Sequence, residues 1–162
     1  MASPAAWLRR VGVEVTCLDL SRVPFRAELA SADFIAFYLP MHTATRLAVP
    51  LIKQVRKLNP DARICCYGIY APFNASFLRS LGVNDILGGE FEKDLEALAT
   101  DRSLPKIPKH PRQIQRLSFL VPDRSDLPHP LQYASLQQGD RTKIVGYTEA
   151  SRGCKHMCRH CP

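Results

Sequence analysis

The sequence predicts an α/β chain: a doubly wound parallel sheet followed by a second, shorter unit. Three observations carry this. Apolar runs of strand length alternate with helical periodicity over residues 1–100. The runs are apolar on both faces, as strands covered by helices on both sides must be. Proline then crowds residues 101–131, at Pro105, Pro108, Pro111, Pro122, Pro128 and Pro130, so long helix stops there.

The elements come in this order. A helix is expected around residues 4–11, then a turn at Gly12. Residues 13–18, Val-Glu-Val-Thr-Cys-Leu, read as a first β-rich strand. Residues 34–39, Phe-Ile-Ala-Phe-Tyr-Leu, form a continuous apolar run and a second strand. Ala44, Leu47, Ala48, Leu51, Ile52, Val55 and Leu58 then repeat at i, i+3, i+4, i+7 spacing, which predicts a helix. His42 or Thr43 would cap its start. Pro50 lies inside it and removes a backbone donor, so a kink or a late start is expected. Asn59-Pro60 ends it. Residues 62–67 are a third strand, stopped by Gly68. A helix around 73–81, a short strand at 85–87 before Gly88-Gly89, and a helix around 91–98 complete the alternation.

A flavodoxin-like domain has the strand order 2-1-3-4-5. The four expected strands match its last four. Its first strand, which lies mid-sheet, is apparently missing, and the expectation is that it precedes Met1. Behind this domain (residues 1–100) comes a Pro-rich linker (101–140), with at most one short strand near 117–121. Residues 143–148, Lys-Ile-Val-Gly-Tyr-Thr, read as a strand running into a cysteine loop in a third unit (141–162).

Composition bounds the rest. A hydrophobic fraction of 46% suits a globular chain. No apolar stretch of about 18 residues occurs, so no membrane partner is expected. The net charge of +7 is uneven, +1 over residues 1–100 and +6 over 101–162. No aromatic platform or recognised binding motif accompanies that basic excess, which argues against a nucleic-acid partner. Cys17, Cys65 and Cys66 sit in apolar runs and no signal peptide precedes them. A reduced, cytoplasmic setting is therefore expected, without disulfides.

The end of the chain carries the sharpest chemistry. Residues 151–162 read Ser-Arg-Gly-Cys-Lys-His-Met-Cys-Arg-His-Cys-Pro, placing Cys154, Cys158 and Cys161 in a C-x3-C-x2-C run. Three thiolates on one loop can hold three irons of a cubane cluster. The fourth iron is then left open to a substrate or cofactor. Arg152, Lys155 and Arg159 would offset the anionic charge. Zinc is the competing reading, with His156 or His160 as the fourth tetrahedral ligand. Structural zinc sites usually draw ligand pairs from two knuckles, and only one ligand cluster is present here, so iron–sulfur is the stronger reading.

That run, preceded by Ser-Arg-Gly and ending in Pro, resembles the signature loop of the radical S-adenosylmethionine superfamily. The resemblance implies a 4Fe–4S cluster on Cys154, Cys158 and Cys161, with S-adenosylmethionine chelating the open iron. One electron would then cleave the cofactor to a 5′-deoxyadenosyl radical that abstracts hydrogen from a substrate. The residue before the third cysteine is usually aromatic in this family and sits near the adenine. Here it is His160, whose neutral imidazole can stack on adenine. The strand before the loop would be the first of a (β/α) barrel, the rest of which is not in the sequence. Residues 1–162 alone are thus expected to be inactive.

Residues 3–99 resemble the cobalamin-binding-like domain often found ahead of that barrel. The carriers are residues 8–15 (Leu-Arg-Arg-Val-Gly-Val-Glu-Val), 40–45 (Pro-Met-His-Thr-Ala-Thr), 82–85 (Gly-Val-Asn-Asp) and 88–92 (Gly-Gly-Glu-Phe-Glu). A group of the superfamily named for a CUAEP/CCAEP tail is the most similar, although that tail is not in the sequence. Many such domains bind cobalamin through an Asp-x-His-x-x-Gly loop, which does not occur here, so cobalamin is a candidate cofactor only. Ligands of open α/β sheets sit at the carboxyl ends of the strands, which makes His42, Gly68, Gly88 and Gly89 candidate binding residues. Gly88-Gly89 as a plain turn, and His42 as a cap or surface residue, remain open alternatives.

The expected function is therefore the N-terminal part of a radical S-adenosylmethionine enzyme. Its partners would be a small-molecule or peptide substrate and an electron donor such as flavodoxin or ferredoxin. The rivals are a cobalamin- or nucleotide-binding module without catalysis and a zinc-stabilised interaction protein.

Overall fold

A computed structural model describes residues 1–100 and 118–146. Its centre is a three-stranded parallel sheet in the order β1-β2-β3. β1 is Phe34–Tyr38, β2 Arg63–Tyr67 and β3 Asp85–Leu87. Phe34 pairs with Arg63 and Cys65 with Asp85. Arg63 also reaches Asp85 across the two strands through Nε (2.7 Å) and Nη2 (3.2 Å).

β2 alternates between two cores, because successive side chains of a strand point to opposite faces. Ile64 and Cys66 join Leu39, Ala48, Ile52, Val55, Ala71, Leu78 and Val83 on one face. Cys65 and Tyr67 join Leu87, Leu95 and Leu98 on the other. The first face is covered by α2 (His42–Leu58), α3 (Tyr70–Phe73) and α4 (Ala75–Ser80). The second is covered by α5 (Glu92–Ala99), against which α1 (Ala2–Arg10) lies. Ile52, Ile64, Leu78 and Leu95 are each fully buried, contributing about 1.5–3 kcal/mol apiece. The helix–strand alternation and the helices on both faces are those the sequence predicts.

Loops between these elements are fixed by side-chain bonds to backbone. Arg56, near the end of α2, donates to the carbonyls of Pro60, Ala62 and Gly82 and to Asn84 Oδ1. Asn84 Oδ1 in turn accepts the Ile64 amide at 2.8 Å. Gly12 closes α1 at φ +83, with the amides of Gly12 and Val13 bonded back to Arg9 and Leu8.

Several expectations need correction. Residues 13–18 form no strand and pair with none. The Val15 carbonyl accepts from Arg9 Nη2 (2.8 Å) and the Cys17 amide donates to Asp126 (2.9 Å), so side chains occupy backbone groups that a neighbouring strand would use. The parallel sheet among the described residues therefore has three strands rather than four. α2 starts at His42 and runs through Pro50, so it does not start late. Neither His42 nor Thr43 caps it. Met41 is the N-cap, with no side-chain bond. The described residues 118–121 hold no strand, within the expectation of at most one there.

The last described elements form a small antiparallel sheet. β5 (Arg141–Ile144) pairs antiparallel with β4 (Ser135–Gln138) in a hairpin whose residues are all exposed. The two-residue loop Gly139-Asp140, with Gly139 at φ +58, makes the hairpin. No closed barrel exists among the described residues, and no helix there is long and apolar enough to cross a membrane.

Candidate functional site

Each strand delivers its last residues to the same edge of the sheet. β1 runs through Leu39-Pro40-Met41 into α2. β2 runs through Gly68-Ile69 into α3, and β3 through Gly88-Gly89-Glu90-Phe91 into α5. The Gly68 amide donates to the Leu87 carbonyl at 3.2 Å, and the Tyr70 amide to the Leu39 carbonyl at 3.1 Å. All three strand ends are thereby tied together.

The glycines at this edge have distinct reasons to be glycine. Gly68 sits at φ +107, and a Cβ there would lie 2.9 Å from the Leu39 carbonyl oxygen. A Cβ at Gly88 would collide with Pro72 Cγ of α3. Gly89 sits at φ +63 with open space around it. Gly68 and Gly88 thus let the strand ends and α3 pack closely, while Gly89 serves a turn. His42 is the exposed first residue of α2.

Aromatic side chains gather where the strands end, and sequence reasoning missed this. Tyr38 stacks on Tyr67 (centroids 5.2 Å apart), and Phe91 tilts against both, at 6.0 and 4.8 Å. Tyr67 is buried, and burial pushes its phenol well above the usual value. Tyr38 is 39% exposed and forms the open side of the cluster. A signal for it exists in the sequence, since Tyr38 and Tyr67 are both the final residue of their strands. Next to Phe91, the fully buried Glu92 opens α5 and accepts a hydrogen bond from Ser3 Oγ of α1 at 2.9 Å. An acid at a helix N-terminus complements its dipole.

The described cysteines are not placed to bind a metal together. Cys65 and Cys66 point to opposite faces of β2 and both are fully buried. Burial pushes the Cys66 thiol up to about 12 and raises Cys65 as well. Cys17 is half-buried, and burial, opposed by Arg9, raises its thiol. Among the described residues no group of three or more His, Cys, Asp or Glu side chains is arranged to hold a metal ion. Cys154, Cys158, Cys161 and His160, the sequence-predicted ligands and adenine neighbour, lie outside the described residues, as does His156.

No protein-family model, no curated protein and no solved structure matches this chain.

Proposed function

We propose that this chain is the N-terminal part of a radical S-adenosylmethionine enzyme, with a cobalamin-binding-like α/β domain ahead of the cluster loop. The observation that carries the reading is the C-x3-C-x2-C run of Cys154, Cys158 and Cys161, framed by Ser151-Arg152-Gly153 and Pro162. Its donor chemistry fits a 4Fe–4S cluster, since soft thiolates select iron–sulfur clusters and three ligands leave one iron open. Cys65 and Cys66, buried on opposite faces, cannot add to that set.

When bound, such a cluster supplies a low-potential electron to a coordinated S-adenosylmethionine. The chain's own residues would do the rest. Cys154, Cys158 and Cys161 would fix the cluster, Arg152, Lys155 and Arg159 would offset its negative charge, and His160 would lie against the adenine. An electron donor such as flavodoxin or ferredoxin and a small-molecule or peptide substrate complete the reading. Cobalamin is a second candidate ligand for the carboxyl edge of the sheet. The space beside Gly68 and Gly88 is filled by chain atoms, so those glycines do not argue for it.

Anaerobic reconstitution with iron and sulfide tests the reading. In a version extended to include the barrel, iron and acid-labile sulfide should be bound in equal amounts and lost from Cys154→Ala, Cys158→Ala and Cys161→Ala alike, whereas residues 1–162 alone should hold the cluster poorly. Zinc bound tightly without sulfide would favour the interaction-protein reading instead.

A further inference from the structure

Residues 123–133 have almost no regular structure beyond the short 3-10 turn Pro130–Gln132. They are nevertheless tied at several points to the start of the chain, more than a hundred residues away. Arg9 of α1 is the centre of those ties. Its Nη1 reaches Asp123 Oδ2 at 2.7 Å and Ser125 Oγ at 2.9 Å. Its Nη2 reaches Asp126 Oδ2 at 2.5 Å and the Val15 carbonyl at 2.8 Å. Asp126 Oδ2 also takes the Cys17 amide, and the Asp123 amide donates to the Ala2 carbonyl at 3.0 Å. Tyr133 is a second anchor. It donates its hydroxyl to Asp19 Oδ2 at 2.6 Å, and the Arg22 guanidinium lies 5.1 Å from the Tyr133 ring centre.

The attachment is polar rather than a packed core. Beside it runs an open groove of about 700 Å³, its walls including Val15, Leu18, Val23 and Pro24 on one side and Leu127 and Pro128 on the other. Polar ties at partly exposed sites open more readily than packed apolar contacts, because water and salt compete for each partner. Arg suits this post because one planar guanidinium can serve two carboxylates and a carbonyl at once.

We propose that Arg9 is the pin of a latch that positions residues 123–133, and with them the β4–β5 hairpin, against α1 and residues 13–19. β4 begins two residues after Tyr133, and Ile144 at the end of β5 stands ten residues before Cys154. Arg9 is thus a positioning residue. The latch sets where the chain leaves the α/β unit on its way to the cysteine run, and opening it releases the hairpin without unfolding the sheet. The stretch at 13–18 is its receiving surface, which accounts for a β-rich run that joins no sheet.

Hydrogen exchange on the metal-free 162-residue chain tests this, so the outcome does not depend on what the cysteines hold. Two amides report directly, because their bonds cross the latch: Cys17 to Asp126 and Asp123 to Ala2. Arg9→Ala should speed both by roughly tenfold, the weight of one charge-assisted hydrogen bond at a partly exposed site. Tyr133→Phe should speed the Cys17 amide less. The Arg63–Tyr67 amides should exchange as in the unaltered chain. High salt should mimic Arg9→Ala in part. Unchanged exchange at Cys17 and Asp123 in Arg9→Ala would overturn the latch. Equal acceleration throughout Arg63–Tyr67 would also overturn it, by making Arg9 a residue of global stability.

Discussion

Gly68→Ala separates packing from ligand binding at the carboxyl edge. Gly68 lies at φ +107, where an L side chain is strained, and the new Cβ would sit 2.9 Å from the Leu39 carbonyl oxygen and 3.1 Å from its carbon. Those are backbone atoms and cannot rotate away. The Leu39 amide bonds Tyr67 at 2.7 Å and its carbonyl accepts from Tyr70 at 3.1 Å, so relief of the clash must shift the β1–β2 pairing. Backbone strain costs about 1–3 kcal/mol and overpacking about 1–3 kcal/mol, giving a loss of roughly 2–6 kcal/mol. Gly89→Ala is the control. It has φ +63 and nothing within 4 Å of the new Cβ, so only the left-handed penalty of about 1–2 kcal/mol applies. Urea unfolding monitored through Trp7, the single tryptophan and 4% exposed, measures both. A Gly68→Ala loss no larger than that of Gly89→Ala would refute the close-packing argument and return Gly68 to the residues kept free for a ligand.

Further outcomes are expected. Arg56→Ala should cost about 1–2 kcal/mol in the same assay, because it strips hydrogen bonds from Pro60, Ala62, Gly82 and Asn84 at partly exposed positions; an unmoved midpoint would contradict this. Cys65 and Cys66 should resist alkylation at neutral pH until the chain unfolds, since burial raises both thiols, and ready labelling of the native protein would count against the two-faced core. The Asp123 and Asp19 ties of the latch should survive acid below the ordinary carboxyl range. Hydrogen bonds from the Ser125 amide and then Arg9 hold Asp123 down to about 2, against a usual 3.8. Burial would lift Asp19, but hydrogen bonds from Tyr133 and Ser21 outweigh it and hold it low. Carboxyls depressed in the folded state stabilise it above their unfolded values, and that contribution is lost as pH falls through the folded ones. The Ser125 amide resonance, bonded to Asp123 Oδ1 at 2.9 Å, should therefore hold its position until the pH falls well below 3.8. A midpoint at the ordinary carboxyl value would show that the latch leaves these acids unperturbed.

The sheet core is legible because its signals are local. Apolar runs of strand length and the i, i+3, i+4 spacing of Ala48, Ile52 and Val55 name β1, β2 and α2 without reference to anything distant. What escapes depends on long-range partners. Residues 13–18 have strand composition, but Arg9 and Asp126 claim their backbone groups, and Asp126 stands 109 residues from Cys17. The Gly139-Asp140 turn before β5 is a local hairpin signal. At the site, the glycines suggest room for a ligand because sequence cannot show that Pro72 and the Leu39 carbonyl already fill the space. The Tyr38–Tyr67–Phe91 cluster likewise forms only once β1, β2 and the start of α5 are side by side.

The central claim is that Cys154, Cys158 and Cys161 leave one iron of a cluster open. It is tested most directly by electron paramagnetic resonance of a version extended to include the barrel, anaerobically reconstituted and reduced, recorded with and without S-adenosylmethionine and beside Cys158→Ala. The extended protein should give a cluster signal that changes when S-adenosylmethionine is added, and its Cys158→Ala variant should give none. A signal indifferent to S-adenosylmethionine, or one that persists in Cys158→Ala, would contradict it.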